Sequence, residues 1–141
     1  MRRIVLLILG LIVAFGFSGF FFSSVSRSGE QGDYFYSCVR SGDYEKIIVL
    51  LDDDLLSSHP KEYWLKQLNA RYVEKGSLVS FKNTGFHTET IDGKSISKLD
   101  YIVTYTNGQM RERLDFVKEG SAYKIIEYEF SDDIQNKLVS N

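Results

Sequence analysis

The chain has 141 residues, enough for one domain, and its 43 % hydrophobic and 14 % aromatic content excludes a disordered tail. Arg2, Arg3 and Arg27 are the only charges in residues 1–29, so beyond that stretch 14 basic residues face all 19 acids, a net charge of −5. With no basic run left, the downstream part lacks the positive patch that nucleic acid or an anionic lipid surface requires.

The apolar residues are unevenly distributed. Ile4 to Phe22 (IVLLILGLIVAFGFSGFFF) carries no charge, and a helix of that length rises close to the ~30 Å of a bilayer's hydrocarbon core. Arg2 and Arg3 precede it and hold that end on the cytoplasmic side, so everything after Phe22 is expected outside the cytoplasm. Residues 1–22 read as a single-pass signal anchor, because the apolar core is longer than that of most signal peptides. The alternative is cleavage at Ser24-Val25-Ser26 or Gly16-Phe17-Ser18, which would release a secreted or periplasmic domain. Cys38 is the only cysteine and lies far beyond the apolar stretch. It fits neither a lipoprotein signal nor an intramolecular disulfide, and reads as a small buried hydrophobe.

Residues 23–32 (SSVSRSGEQG) are polar and read as a spacer, followed by a domain over 33–130 and a polar tail over 131–141. From Asp33 the pattern is helical through Phe35, Tyr36, Val39 and Arg40, until Ser41-Gly42-Asp43 interrupts it. Glycine suits the left-handed end of one helix and aspartate the N-cap of the next. That second helix carries Ile47, Ile48, Leu50 and Leu51 and runs into Asp52-Asp53-Asp54. Three adjacent helical aspartates point roughly 100° apart and do not converge on one cation, so they read as a loop and cap. His59 and Pro60 then start a third helix, with Glu62 placed for a capping box and Tyr63, Trp64, Leu65, Leu68 and Tyr72 as its buried side.

From Gly76 the texture is β. A first strand runs from Leu78 irregularly past Gly85 to Ile91, and Asp92-Gly93 turns the chain. In KLDYIVTYT, Leu99, Tyr101, Val103 and Tyr105 share one face, with Asp100, Thr104 and Thr106 opposite. Asn107-Gly108 is the hairpin signal, both residues being expected at positive φ. Met110 to Lys118 puts Leu114 and Phe116 on one face and Arg111, Arg113 and Asp115 on the other. Glu119-Gly120-Ser121 turns into a fourth strand, Ala122 to Phe130. The expected fold class is α+β: after the N-terminal transmembrane or signal helix, about three helices packed on a curved four-stranded antiparallel sheet.

This order resembles the cystatin-like, nuclear transport factor 2-like superfamily, in particular its small exported bacterial members. FYSCVRSGDYEKIIVLL is similar to that group's opening of short helix, Gly-Asp-Tyr and helix. YIVTYTNGQMRERLDFVKEGSAYKIIEYEF is similar to its closing hairpin pair, with Tyr123 where a tryptophan is usual. The resemblance implies a cone-like sheet whose mouth can hold a small molecule; Trp64, Tyr101, Tyr105 and Phe116 are the candidate lining, the alternative being that the same aromatics fill the core. Enzymatic members place an acid–base pair inside the cone, and the candidates for that role are Asp33, Tyr36, His59, His87, Asp100 and Tyr105. Asp100 falls on the wrong face of its strand, and His87 lies in a Gly- and Thr-rich rim.

Three functions follow as expectations. The first is a non-enzymatic, membrane-anchored cell-envelope domain that binds a small apolar ligand in the cone or pairs, with itself or with another envelope protein, through the sheet. The second is an inner-membrane scaffold subunit, similar in layout to the assembly proteins of type IV secretion systems. The third is an exported isomerase- or dehydratase-like enzyme. No catalytic residue, metal ligand or cofactor is assigned, and no nucleic-acid partner is expected.

Overall fold

The computed structural model describes residues 27–131. The apolar segment 1–22, and most of the tail 131–141, lie outside the described residues. Among the described residues no helix is long and apolar enough to cross a membrane.

Helix α1 covers residues 27–41 and extends upstream of Asp33 into the stretch expected as a spacer. What holds it there is burial, since Ser28 and Gly32 are both buried. Glycine inside a helix is about 1 kcal/mol worse than alanine, but at position 32 nothing larger fits. A Cβ there would fall on the Tyr101 hydroxyl, with the ring's Cζ only 2.9 Å away. The helix ends as the sequence indicates. Gly42 takes φ +72°, its N–H bonds to Val39 O at 3.2 Å, and Asp43 N–H bonds to Cys38 O at 3.0 Å, the two reciprocal bonds of a Schellman motif. Cys38 is buried in α1.

Helix α2, Tyr44–Leu50, starts after Asp43, whose carboxylate makes no cap hydrogen bond and instead pairs with Lys46 at 2.6 Å. The aspartate run, expected as a loop and cap, supplies a further helix. Asp52 is the N-cap of α3, Asp53–Ser58, and its side chain accepts a 3.0 Å bond from Asp54 N–H. Leu51 is extended and bridges to Ile125, and Asp52 N–H bonds to Ile125 O at 2.9 Å. That pairing with a strand is what separates α2 from α3. His59 closes α3, and Pro60 is the N-cap of α4, Lys61–Lys75. With proline in the cap there is no side-chain oxygen to complete a capping box with Glu62, and none forms.

The buried face of α4 differs from the expected one. Trp64, Leu68 and Arg71 are buried, whereas Tyr63 and Tyr72 are exposed. The residues at i, i+4 and i+7 form one stripe, and only that stripe meets the sheet; the sequence reading had filled it with aromatics and passed over an arginine.

Four antiparallel strands follow in spatial order β1-β2-β3-β4: β1 Leu78–Ile91, β2 Lys94–Tyr105, β3 Gly108–Glu119 and β4 Ala122–Ser131. The irregularity expected near Gly85 is a register shift between Asn83 and Gly85, and further shifts lie between Leu78 and Ser80 and between Asp115 and Phe116. One turn is displaced. Tyr105 pairs with Gly108, so Thr106 and Asn107 form the β2–β3 turn, and Gly108 alone has positive φ. Thr106 N–H to Ser77 O and Asn107 N–H to Lys75 O, each 3.0 Å, tie this turn to the end of α4. Relative to an Asn-Gly turn the pairing slides by two residues, which keeps every side chain on its expected face. Asp115 does point away from Leu114 and Phe116 as expected, yet it is buried rather than exposed.

The core is the predicted strand face. Leu99, Tyr101, Val103, Tyr105, Leu114 and Phe116 join Phe35, Tyr36, Ile47, Leu51, Trp64 and Leu68. Each such side chain contributes about 1.5–3 kcal/mol by leaving water.

Candidate functional site

Reading inward along β3 gives Met110, Glu112, Leu114 and Phe116. Period-two alternation thus places a carboxylate in the core, and Glu112 is fully buried. Burying an unpaired carboxylate is prohibitive, so its partners are the first question. Oε1 accepts from Tyr105 Oη at 2.7 Å and faces Arg71 Nη1 at 3.4 Å. Oε2 accepts from Tyr128 Oη at 2.8 Å and Tyr36 Oη at 3.0 Å. An ionised carboxylate has about four acceptor sites, and all are used. The donors come from α1, α4, β2 and β4, so one side chain of β3 ties five elements together.

Arg71 reaches this point from the α4 stripe and is 6 % exposed. Its guanidinium also bonds the Tyr128 hydroxyl and lies over two rings, 3.9 Å from the Phe130 centroid and 4.9 Å from that of Tyr128. Arginine suits this role because it is weakly hydrated and stacks on aromatics.

The electrostatics follow from the burial. Loss of water raises the Glu112 carboxyl above its ordinary value, opposed first by Arg71 and then by the hydroxyls of Tyr105 and Tyr36. Burial, reinforced by the Glu112 charge, pushes Tyr36 and Tyr105 well above the ordinary phenol value. Burial, with a contribution from Asp33, pushes Tyr101 up to about 12. None of these phenols is ionised near neutrality, and Glu112 has no acceptor site left for a substrate proton. Chemically the cluster is a closed polar knot.

The site opens beside it. Asp100, Arg111, Arg113, Glu129 and Ser131, on the outer face of the sheet, line a cleft of about 510 Å³ that reaches Tyr128, Phe130 and Glu112 at the end of β4. A second hollow of about 190 Å³ lies across Phe130, between Met110 and α4 residues such as Arg71 and Glu74. Phe130 borders both openings, with its ring on the inner side over Arg71, and it is 47 % exposed although it covers a buried guanidinium. Nearer its start the outer edge of β4 is occupied, by Leu51 and Asp52 at Ile125 and by Lys124 Nζ bonding to Val49 O at 2.6 Å.

Four aromatics were the candidate lining of a cone mouth or, alternatively, core. Trp64, Tyr101, Tyr105 and Phe116 are all in the hydrophobic core. Of these, Tyr105 borders a hollow, of only about 10 Å³. Among the acid–base candidates the fold brings together Tyr36 and Tyr105, both bound to Glu112. Asp100 sits on the outer sheet face, where it holds Arg113 Nε at 2.9 Å. Asp33, His59 and His87 are exposed, and the His59 ring packs 4.5 Å from that of Tyr63. Among the described residues no group of three or more His, Cys, Asp or Glu side chains is placed to hold a metal ion.

Sequence reasoning missed Glu112, Arg71, Tyr128 and Phe130. The signals were present: a glutamate in the inward register between Met110 and Leu114, and an arginine seven residues after Trp64 on one helical stripe.

Neither a protein-family model nor a curated protein matches the chain.

Proposed function

We propose that the chain is a non-enzymatic cell-envelope domain of the cystatin-like, nuclear transport factor 2-like kind, anchored through residues 4–22, that captures an extended segment of a protein partner in the cleft at the end of β4. The observation that carries this reading is Phe130, an aromatic side chain held half in solvent over a buried arginine, at the edge of the sheet that Leu51 and Asp52 leave open. Rigid aromatics stacked on arginine are favoured anchors at interfaces, and an uncovered strand edge invites an added strand. Arg111, Arg113, Asp100 and Glu129 supply a mixed-charge rim that suits a polar peptide backbone better than a purely apolar molecule. A filled interior, with the cone-lining positions taken up by core packing, argues for recognition at this edge. The saturation of Glu112 argues against the enzymatic alternative. The register shifts in β1 and between β3 and β4 are the kind of irregularity that curves a sheet, in keeping with a cone.

The test is photocrosslinking in the native envelope, with a benzophenone amino acid replacing Phe130 and, as control, the exposed Val49 on α2. A discrete protein adduct from position 130 alone is expected. Equal labelling from both positions, or none from 130, would overturn the reading. A retained mass of small-molecule size on native mass spectrometry would redirect it to a ligand, for which a cleft of this volume is large enough.

A further inference from the structure

We infer that the β1–β2 and β3–β4 turns form the face of the domain that rests on the bilayer, and that the Phe130 cleft opens away from it. The inference relies on the reading of residues 4–22 as a membrane anchor, and what it adds is an orientation. Three contacts fix the direction of α1 on the sheet. Gly32 packs on Tyr101 and Leu99, the Tyr36 ring lies 4.7 Å from that of Tyr101 and 5.1 Å from that of Phe81, and Arg40 reaches Val79 O at 3.3 Å. Moving forward along α1 therefore leads toward the start of β1 and the Thr106-Asn107 turn. Moving backward, toward the apolar segment, leads to the tip of the β1–β2 hairpin.

The lengths agree with this. From Gly32 back to Arg27 is five helical positions, a rise of about 7–8 Å. From Leu99 back to Lys94 is five strand positions, about 17 Å. The hairpin tip thus projects about 10 Å past the first described residue, toward the side on which the anchor is attached. Between Arg27 and Phe22 the chain spans at most about 18 Å even when fully extended, so the first described residue stands no farther than that from the end of the apolar segment. Lys94 lies opposite the level of Glu119 in the β2–β3 register, which brings the Gly120-Ser121 turn to the same end. This end presents Ile91, 47 % exposed, beside its cross-strand partner Lys94, with Asp92 and Glu119 at the same tips and Lys118 on the opposite sheet face. An exposed isoleucine beside a lysine matches the headgroup boundary, where the stem buries and the ammonium group stays wet. Met110, Phe130 and the last turn of α4 lie at the other end of the sheet, so the cleft is left accessible.

The experiment uses the full chain in vesicles of phosphatidylethanolamine and phosphatidylglycerol, in a Cys38→Ala background. An environment-sensitive fluorophore is attached at Ile91→Cys, Ser121→Cys or, at the far end, Asn107→Cys, and brominated lipids serve as quenchers. Trp64, the only tryptophan, reports that each variant is folded. Quenching at positions 91 and 121 with none at 107 is expected. Folded protein that floats with the vesicles but shows no difference between the two ends overturns the orientation and leaves the anchor reading standing. Failure to float overturns the anchor, and the orientation with it.

Discussion

Arg71→Met isolates the physics of the buried knot. The substitution keeps an unbranched apolar stem beneath Phe130 and removes the charge that faces Glu112 at 3.4 Å. Arg71 is the largest influence holding the Glu112 carboxyl down against burial, so without it the carboxyl rises further. The sign follows from linkage. A carboxyl whose folded-state value lies above its unfolded value of 4.5 contributes stability that is fully present below that value and is lost as pH rises through the folded one. In the variant that loss continues to higher pH. Removing one member of a buried pair costs about 3–5 kcal/mol, and at about 4–8 °C per kcal/mol for a domain of roughly 100 residues the melting temperature should fall by on the order of 12–40 °C near neutral pH. At about pH 4.5, with Glu112 protonated, much of the deficit should vanish. The assay is thermal or urea unfolding of the chain followed by Trp64 fluorescence at both pH values. A loss under about 1 kcal/mol, or one equal at both pH values, would refute the claim that Arg71 acts by balancing Glu112. The paired variant Arg71→Met with Glu112→Leu should recover most of the stability, because neither charge is then left alone.

Three further outcomes are expected. Gly32→Ala should destabilise by about 1–3 kcal/mol through overpacking against Tyr101, and Tyr101→Phe in the same chain should return part of that, measured by urea midpoints. Tyr36→Phe should cost about 1–2 kcal/mol, because Glu112 loses one of its donors, whereas the same change at the exposed Tyr72 should be nearly silent. Stability should decline above about pH 10, since Tyr36, Tyr101 and Tyr105 hold their protons more tightly folded than unfolded; the tyrosinate absorbance of these three should appear together with unfolding, after that of other phenols.

What was legible in the sequence was whatever depends on neighbours along the chain. Gly42-Asp43 marked a helix end because a left-handed residue and the two bonds around it involve only six consecutive residues. Leu99, Tyr101, Val103 and Tyr105 marked a buried face because alternation in a strand is a local geometric rule, and the β meander followed from turns spaced closely enough to be read. Helix α3 was not legible in the aspartate run, since the break that sets it off from α2 arises from Leu51 meeting Ile125, a residue far away in the chain. Nor was the β2–β3 turn, where the local preference of Asn107-Gly108 yields to bonds with Lys75 and Ser77. The candidate site belongs wholly to this second kind. Glu112 and Arg71 each stand out as polar residues in an apolar stripe, but whether two buried charges meet depends on how α4 crosses β3. Only the packed structure decides that they do, that three tyrosines complete the shell, and that Phe130 is left over a guanidinium at an open edge.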